Sequence, residues 1–548
     1  MTKPLQKDLL QAVWQGRENH RDTPMLTFVD VEADGQFAEE LRSYEQLWRN
    51  GSAVCEALIA SGMCPGGSFA LIMHSHPEFV DCMVGSAMAG TVFVPLDPRV
   101  GGSKLRFMLD FSDCRGVVIA SYALPQLLEI APQLPKLEWV WVIGQLAKGV
   151  TIPNVALRPF AAILNDWSGE EFPLREVDPM SPMQMIFTSG TTGDPKAILS
   201  PHARFMFATS LGPAMGYRSD DRLYTGLPLS HSNGQFMTLG NALVMQLPVV
   251  ISRKFTKSRL WEIVTRYRCT TFNLLGGMTT ATFAEPPGKF ERAHSVRFVV
   301  SAGMPASMWD EFAERFGVEI FEFYGTAEGG LLLNPPPDAK MGSIGKPPPG
   351  TECAVLDGHD DPLPIGELGE LCFRNADGTV APVLYYKNDE ASADKTRGGW
   401  FRSGDIGWRD ADGWFYFSHR MGTAIRKNGE FISPSEVERV IAKHHDVSDV
   451  YVYGVCTAIN TPGEREVVAA IVPASSAFNP AAIFASCEGE LQRNSIPTYI
   501  QIVDEIPKTA SEKPQDRYLV EMICANDARI YSATGPVKIN LGERNEPA

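Results

Sequence analysis

The chain reads as an α/β protein with a large N-terminal domain of parallel sheets covered by helices, a small β-rich subdomain within it, and a small mobile α+β domain at the C-terminus. Three observations predict this. Over residues 43–120 amphipathic helical patterns alternate with short apolar runs, the pattern of parallel strands joined by crossover helices. Beyond about residue 340 Gly, Pro and Asp become frequent and short strand patterns take over. After Arg426-Lys427-Asn428-Gly429-Glu430 helix and strand return, enough for a compact closing module. With 548 residues the chain is also too long for a single core.

Each element follows from its own pattern. Residues 44–61 are amphipathic, 68–73 form a short apolar strand, 77–89 are helical and 91–95 are β-rich. Buried strands follow at 116–120 and 139–143. A later round covers roughly 200–325, where the runs 247–251, 271–275 and 296–300 punctuate helical segments. Short strands at 370–374 and 414–417 mark the β-rich part, and 434–443 (helix), 447–455 and 467–472 (strands) mark the last module. The uncharged stretches 82–96 and 236–251 are too short to span a bilayer and read as helices passing into strands. The expected divisions are an N-terminal domain over 1–417 (β-rich from about 340), a hinge at 418–422 and a C-terminal domain over 423–548, its tail beyond Ser532 mobile.

Composition narrows the function. With 44% hydrophobic and 21% charged residues the chain is an ordinary globular protein, and its formal charge of -16 argues against nucleic acid or an anionic membrane as partner. Ten cysteines without CxxC pairs or clustered histidines read as reduced thiols. The N-terminus has no apolar signal-peptide core, so a cytoplasmic protein is expected.

The most informative segment is Thr188-Ser189-Gly190-Thr191-Thr192-Gly193-Asp194-Pro195-Lys196, directly after an apolar run. Glycines permit the backbone turns that aim consecutive amides at phosphate oxygens, the hydroxyls add donors, and Lys196 adds a mobile point charge. The Walker pattern is absent, since Asp194-Pro195 separate Gly193 from the lysine. A Gly/Ser/Thr linker is the bland alternative, but linkers seldom end in Pro-Lys before an apolar segment.

Together with Phe323-Tyr324-Gly325-Thr326-Ala327-Glu328, Ser301-Ala302-Gly303-Met304-Pro305, Arg402-Ser403-Gly404-Asp405 and the lysine-bearing segment ending Ser511-Glu512-Lys513, this loop resembles the motif set of the ANL superfamily of adenylate-forming enzymes. The resemblance covers nearly the whole chain. Around residues 272–278 and 428–433 it is nearest to stand-alone CoA ligases of the crotonobetaine/carnitine type.

The resemblance implies an AMP-forming acid:CoA ligase that uses ATP, Mg2+ and coenzyme A on a small-molecule carboxylic acid. It implies that the 188–196 loop clamps the β,γ-phosphates, that Tyr324 stacks on adenine, that the Thr326 hydroxyl meets the α-phosphate and that Glu328 carries magnesium. It implies too that Gly303 belongs to the strand end that walls the adenine and acyl pockets, that Gly325 binds nucleotide with the Tyr324–Glu328 motif, that Asp405 accepts the ribose hydroxyls and that Arg420 contacts the ribose and phosphate region. His231, in Leu227-Pro228-Leu229-Ser230-His231, is expected to gate the acyl pocket and thiol tunnel, Gly429 to line the pantetheine channel, and Lys513 to bridge the attacking carboxylate and the α-phosphate, with Lys508 as fallback. The acyl pocket is expected from Phe205, residues 232–236 and the 274–278 loop.

Three residues depart from the family pattern: Glu512 stands where glycine is usual, His419 where aspartate is usual, and Gly422 where the pivot carries Asp or Lys. Glycine can still absorb a large backbone rotation at the hinge. A stand-alone adenylation enzyme loading a carrier protein shares the first half-reaction and is the alternative; a luciferase-like oxygenase and a degenerate adenylate-binding protein are further ones.

Overall fold

The computed structural model describes residues 7–187, 196–421, 425–427, 430–432, 434–457, 464–508, 514–523, 528–539 and 541. Two large sheets organise the N-terminal part. The seven-stranded one runs in the order Ala156–Pro159, Trp139–Ile143, Gly116–Ala120, Ser68–Ile72, Val92–Leu96, Pro182–Phe187, Ala197–Pro201. All its neighbours are parallel except the last pair, an antiparallel turn-back that brackets the phosphate-loop sequence.

The eight-stranded sheet runs Leu331–Asn334, Glu319–Gly325, Phe298–Ala302, Thr271–Leu275, Leu223–Thr225, Val249–Ser252, Pro24–Val31, Phe37–Ser43. Its interior is parallel and each edge strand is antiparallel. The expected strands and helices are present, several with identical limits: the helix Pro77–Ala89 and the strands at 116–120, 139–143, 271–275 and 447–455. The N-terminal hairpin was not expected. Its second strand, Phe-Ala-Glu-Glu-Leu-Arg-Ser, is an edge strand with four charged or hydroxyl side chains, so it shows little strand periodicity.

The sheets stack with helices between and outside them. Phe69, Leu71, Val118 and Trp141 of one sheet and Phe298, Val300 and Phe321 of the other share one core with the helices Tyr44–Ala60 and Pro77–Ala89. Alternate residues face outward: Ala70, Ile72, Val117 and Ile119 into a second core, and Tyr224, Phe272, Leu274 and Val299 into a third. Burying an aliphatic side chain of this size is worth about 1.5–3 kcal/mol each.

A four-stranded antiparallel sheet, Thr351–Leu356, Gly369–Asn375, Phe401–Arg409 and Phe415–Arg420, packs through Leu371, Phe373 and Phe401 onto Ile198 and Leu332, and so onto an edge strand of each large sheet. Ser418, His419 and Arg420, expected in the hinge, are the last residues of its final strand. The C-terminal module holds the pair Ile425–Lys427 and Glu430–Ile432 and a five-stranded sheet led by Val447–Val455 and Glu466–Pro473. Val467, Ala469 and Ile471 face the helices Pro434–Ala442 and Pro480–Glu490, while Val468 and Ala470 face the opposite way with Leu519 of the helix Asp516–Ile523. The pair Arg529–Ser532 and Gly535–Pro536 carries strand structure past Ser532, where a mobile tail was expected.

Candidate active site

The strand Glu319–Gly325 ends at the carboxyl edge of the eight-stranded sheet, the edge at which open α/β sheets bind ligands. Tyr324 lies there with its ring parallel to Phe373, 10° between planes and 5.9 Å between centroids. Its hydroxyl donates to Asp405 Oδ2 at 2.6 Å. Asp405 is cross-strand partner to Arg420, whose Nε lies 3.8 Å from Oδ1. Burial raises the Asp405 carboxyl above its ordinary range, opposed by Arg420 and by the Tyr324 hydroxyl. Burial, with Asp405 next to it, raises the Tyr324 hydroxyl well above its ordinary range. The aspartate and tyrosine expected to take ribose and adenine therefore touch each other across two sheets.

Beyond Gly325 the chain makes a tight turn. Thr326 Oγ1 donates to the Gly329 carbonyl at 2.8 Å, and the Gly329 N–H returns to Thr326 Oγ1 at 3.2 Å. The hydroxyl thus fixes its own loop. Glu328 Oε1 accepts from the Tyr385 hydroxyl at 3.0 Å, and Lys196 Nζ lies 5.4 Å from the centre of that Tyr385 ring. Ile198 bridges to Tyr385, and Leu199 N–H donates to the Leu384 carbonyl at 2.8 Å, so the strand after the phosphate loop is stitched to this segment.

Three residues with no motif around them complete the cluster. Arg204, on the helix His202–Thr209, spans the carbonyls of Thr326, at 2.7 Å, and Glu328. Burial pulls its guanidinium down to about 10, while Glu328 acts to raise it. Lys395 Nζ donates to the carbonyls of Arg402, at 2.9 Å, and Ser403, at 3.3 Å; burial lowers its pKa, and Glu328, Glu370 and Asp405 oppose that. Tyr385 is the third, its hydroxyl pushed up by burial and by Glu328. Such residues carry no sequence signal because their partners are backbone atoms or lie far away in the chain.

Gly303 has a φ of +101°, and a Cβ on Gly276 would lie 3.0 Å from the Gly303 carbonyl, so the two loop ends approach too closely for side chains. Glu322 ties this turn down by accepting the N–H groups of Gly303 at 2.5 Å and Met304 at 3.1 Å. It is buried, and desolvation lifts its carboxyl to about 8.

His231 belongs to a separate neighbourhood. Its N–H donates to the Pro228 carbonyl, and its Nδ1 accepts the Asn233 N–H at 3.2 Å, which leaves the ring proton on Nε2. Burial lowers it to about 4, so it is a neutral imidazole. Asn233 opens a π-helix, Asn233–Gly240, which continues as the α-helix Asn241–Met245; such wide turns concentrate at functional sites.

Thr188, Ser189, Gly190, Thr191, Thr192, Gly193, Gly422, Gly429, Glu512 and Lys513 lie outside the described residues. The fallback Lys508 pairs with Asp449 at 2.5 Å.

The antiparallel strands that flank residues 188–195, with Lys196, converge with Tyr324–Glu328 and Asp405–Arg420; this is the frame of a nucleotide-handling enzyme, and the chain belongs to the AMP-binding enzyme family, whose model matches residues 14–384. The AMP-binding enzyme C-terminal domain matches residues 436–513. Among curated proteins it is 27% identical over 482 residues to the crotonobetaine/carnitine–CoA ligase of Salmonella typhimurium (strain LT2), covering 86% of this chain and 91% of that one. It is similar in fold to an anthranilate CoA ligase solved with anthranoyl-AMP, at TM-score 0.81 and 24% identity over 94% of this chain and 97% of that one. It is also similar to a benzoate CoA ligase from Burkholderia xenovorans LB400, at TM-score 0.78 and 22% identity over 94% and 99%.

Proposed function

We propose that this enzyme joins a small carboxylic acid to coenzyme A at the expense of ATP. The acid's carboxylate oxygen attacks the α-phosphorus, pyrophosphate leaves, and the resulting acyl-AMP passes its acyl group to the CoA thiol with release of AMP. The observation that carries this reading is the meeting of Lys196, Tyr324–Glu328 and Asp405–Arg420, drawn from three distant stretches of chain, at one place between the sheets.

Attack of an anion on an anionic phosphate requires charge to be neutralised on nucleophile, phosphorane and leaving group. Lys196 and the 188–193 hydroxyls and amides are assigned to the β,γ-phosphates, and the Thr326 hydroxyl, on turning its proton away from the Gly329 carbonyl, to the α-phosphate. Glu328 suits magnesium because it is a hard oxygen donor whose carboxylate is oriented by Tyr385; the ion would neutralise phosphate charge when bound. Asp405 and Arg420 are assigned to the ribose side, Tyr324 to adenine with Gly325 beside it in the nucleotide motif, and Gly303 to the wall of the adenine and acyl pockets. The neutral His231 is assigned to gating the acyl path, Gly429 to the pantetheine channel and Lys513 to orienting carboxylate and phosphate. A cytoplasmic setting is supported by the described cysteines, which are all unpaired; no helix among the described residues is long and apolar enough to cross a membrane.

The test is ATP–pyrophosphate exchange over a panel of acids, followed by addition of CoA or of a phosphopantetheinyl carrier protein. Acid-dependent exchange and thioester formation on CoA are expected. Transfer only to the carrier would replace CoA by a protein acceptor, and absence of exchange with every acid would remove the proposal. Lys513→Ala is expected to slow adenylation by about 100-fold or more while thioester formation from preformed acyl-AMP largely survives.

A further inference from the structure

Two pairs of buried side-chain amides tie the start of the π-helix to both sheets. Gln184, on the strand Pro182–Phe187, donates from Nε2 to Gln235 Oε1 at 2.5 Å. Asn273, on the strand Thr271–Leu275, donates from Nδ2 to Asn233 Oδ1 at 2.5 Å. Gln235 also reaches the Leu229 carbonyl at 3.3 Å.

The asparagine pair is under-used. Asn233 is 6% and Asn273 2% exposed, yet Asn233 Nδ2 and Asn273 Oδ1 have no hydrogen-bond partner. Exchanging oxygen and nitrogen in both amides recreates the same single bond, so one donor and one acceptor stay unpaired in either orientation. A buried polar group left unsatisfied costs about 1–3 kcal/mol. In register beside Asn273 lie Thr225 and Val300, and Val300 belongs to the core shared by the two sheets. The pair is two residues from His231, joined through the Asn233 N–H, and three residues before Gly276, where the chain abuts Gly303.

We propose that this pair reads a neutral group on the acyl part of the substrate, a hydroxyl or a primary carboxamide, that accepts from one asparagine and donates to the other. The acid is then a hydroxylated or amide-bearing carboxylic acid rather than a purely hydrocarbon one. This rests on the proposed function and on the acyl group lying along residues 232–236. A hydroxyl can accept and donate, as the two open positions require, whereas a methyl group can do neither and a carboxylate cannot donate to the acceptor Oδ1. Sites built to hydrogen-bond a substrate reject analogues that lack the bonding group more strongly than apolar pockets reject a size change.

The experiment measures acid-dependent pyrophosphate release, as kcat/KM, for hexanoate against its ω-hydroxy and ω-carboxamide derivatives and for benzoate against its meta and para hydroxyl and carboxamide derivatives. In the wild type at least one polar member is expected to exceed its parent by about 10-fold or more, and Asn273→Leu and Asn233→Ala to bring that ratio to within about 2-fold. Parents equal to or better than every polar partner in the wild type overturn the proposal even if neither variant folds. So does a preference that survives both substitutions. Release with parent and polar acids alike leaves the ligase reading standing and removes only this one; no release from any acid removes both.

Discussion

The two large sheets share a parallel interior but not a chemistry. In the seven-stranded sheet the strands at 68–72, 92–96, 116–120 and 139–143 are buried at every residue, and their one polar side chain, Ser68, is spent on the Ser112 carbonyl. In the eight-stranded sheet Thr225, Asn273, Ser301 and Glu322 are equally buried, and two of them bond across to the π-helix or to the Gly303 turn. Buried polar groups cost stability, and the seven-stranded sheet confines its others to Gln184 and Ser200 on the two strands that flank residues 188–195, so the polar strands of both sheets mark the part that holds the site and the four apolar strands the part that holds the fold.

Substitutions in the two sheets should therefore fail in different ways. The largest effect is expected from Leu71→Ala in the seven-stranded sheet, where a fully buried side chain leaves a cavity: about 2–5 kcal/mol lost in denaturant unfolding, with kcat/KM per folded molecule unchanged. A large kinetic change there would break the division. Glu328→Gln should do the reverse, lowering kcat by about 100-fold with little change in unfolding, as expected for loss of a charge that acts on the phosphates. Tyr324→Phe removes only the bond to Asp405; KM for ATP should rise by about 5–10-fold, and no change would show that this contact is idle in turnover.

The smallest effect is one of pH. Burial holds Glu322 near 8 against an ordinary 4.5, so between these values the folded protein keeps a proton that the unfolded chain has released. Stability from this group is present below about 4.5 and lost as the pH rises through about 8. Melting curves taken from pH 5 to 8 should fall less steeply for Glu322→Gln than for the wild type, and parallel slopes would contradict the assignment.

What the sequence made legible follows the same division. Apolar runs such as Trp139–Ile143 and Gly116–Ala120 announce buried strands because nothing but burial shapes them. The motif residues Tyr324, Thr326, Glu328, Asp405 and Arg420 stand out as short polar islands, and the fold brings them together. Arg204, Tyr385 and Lys395 were invisible because Arg204 and Tyr385 act through partners remote in sequence, and Arg204 and Lys395 act on carbonyl oxygens that every residue possesses. The π-helix was equally hidden, since residues 236–251 read as a helix passing into a strand and apolar patterning does not distinguish a wider turn; the amide pairs at 184–235 and 233–273 anchor its start to partners far away in the chain. The edge strand Phe37–Ser43 escaped because only Ser43 of its seven residues is buried, so no core-facing side imposes the apolar alternation that would reveal it.

The Arg204 guanidinium works as a splint. It ties the helix that begins six residues after Lys196 to the main chain on either side of Ala327, more than a hundred residues downstream. Any shift of that helix is passed on to Thr326 and Glu328, so the groups proposed to hold the two ends of a triphosphate are kept in step by one planar side chain that need never touch the nucleotide.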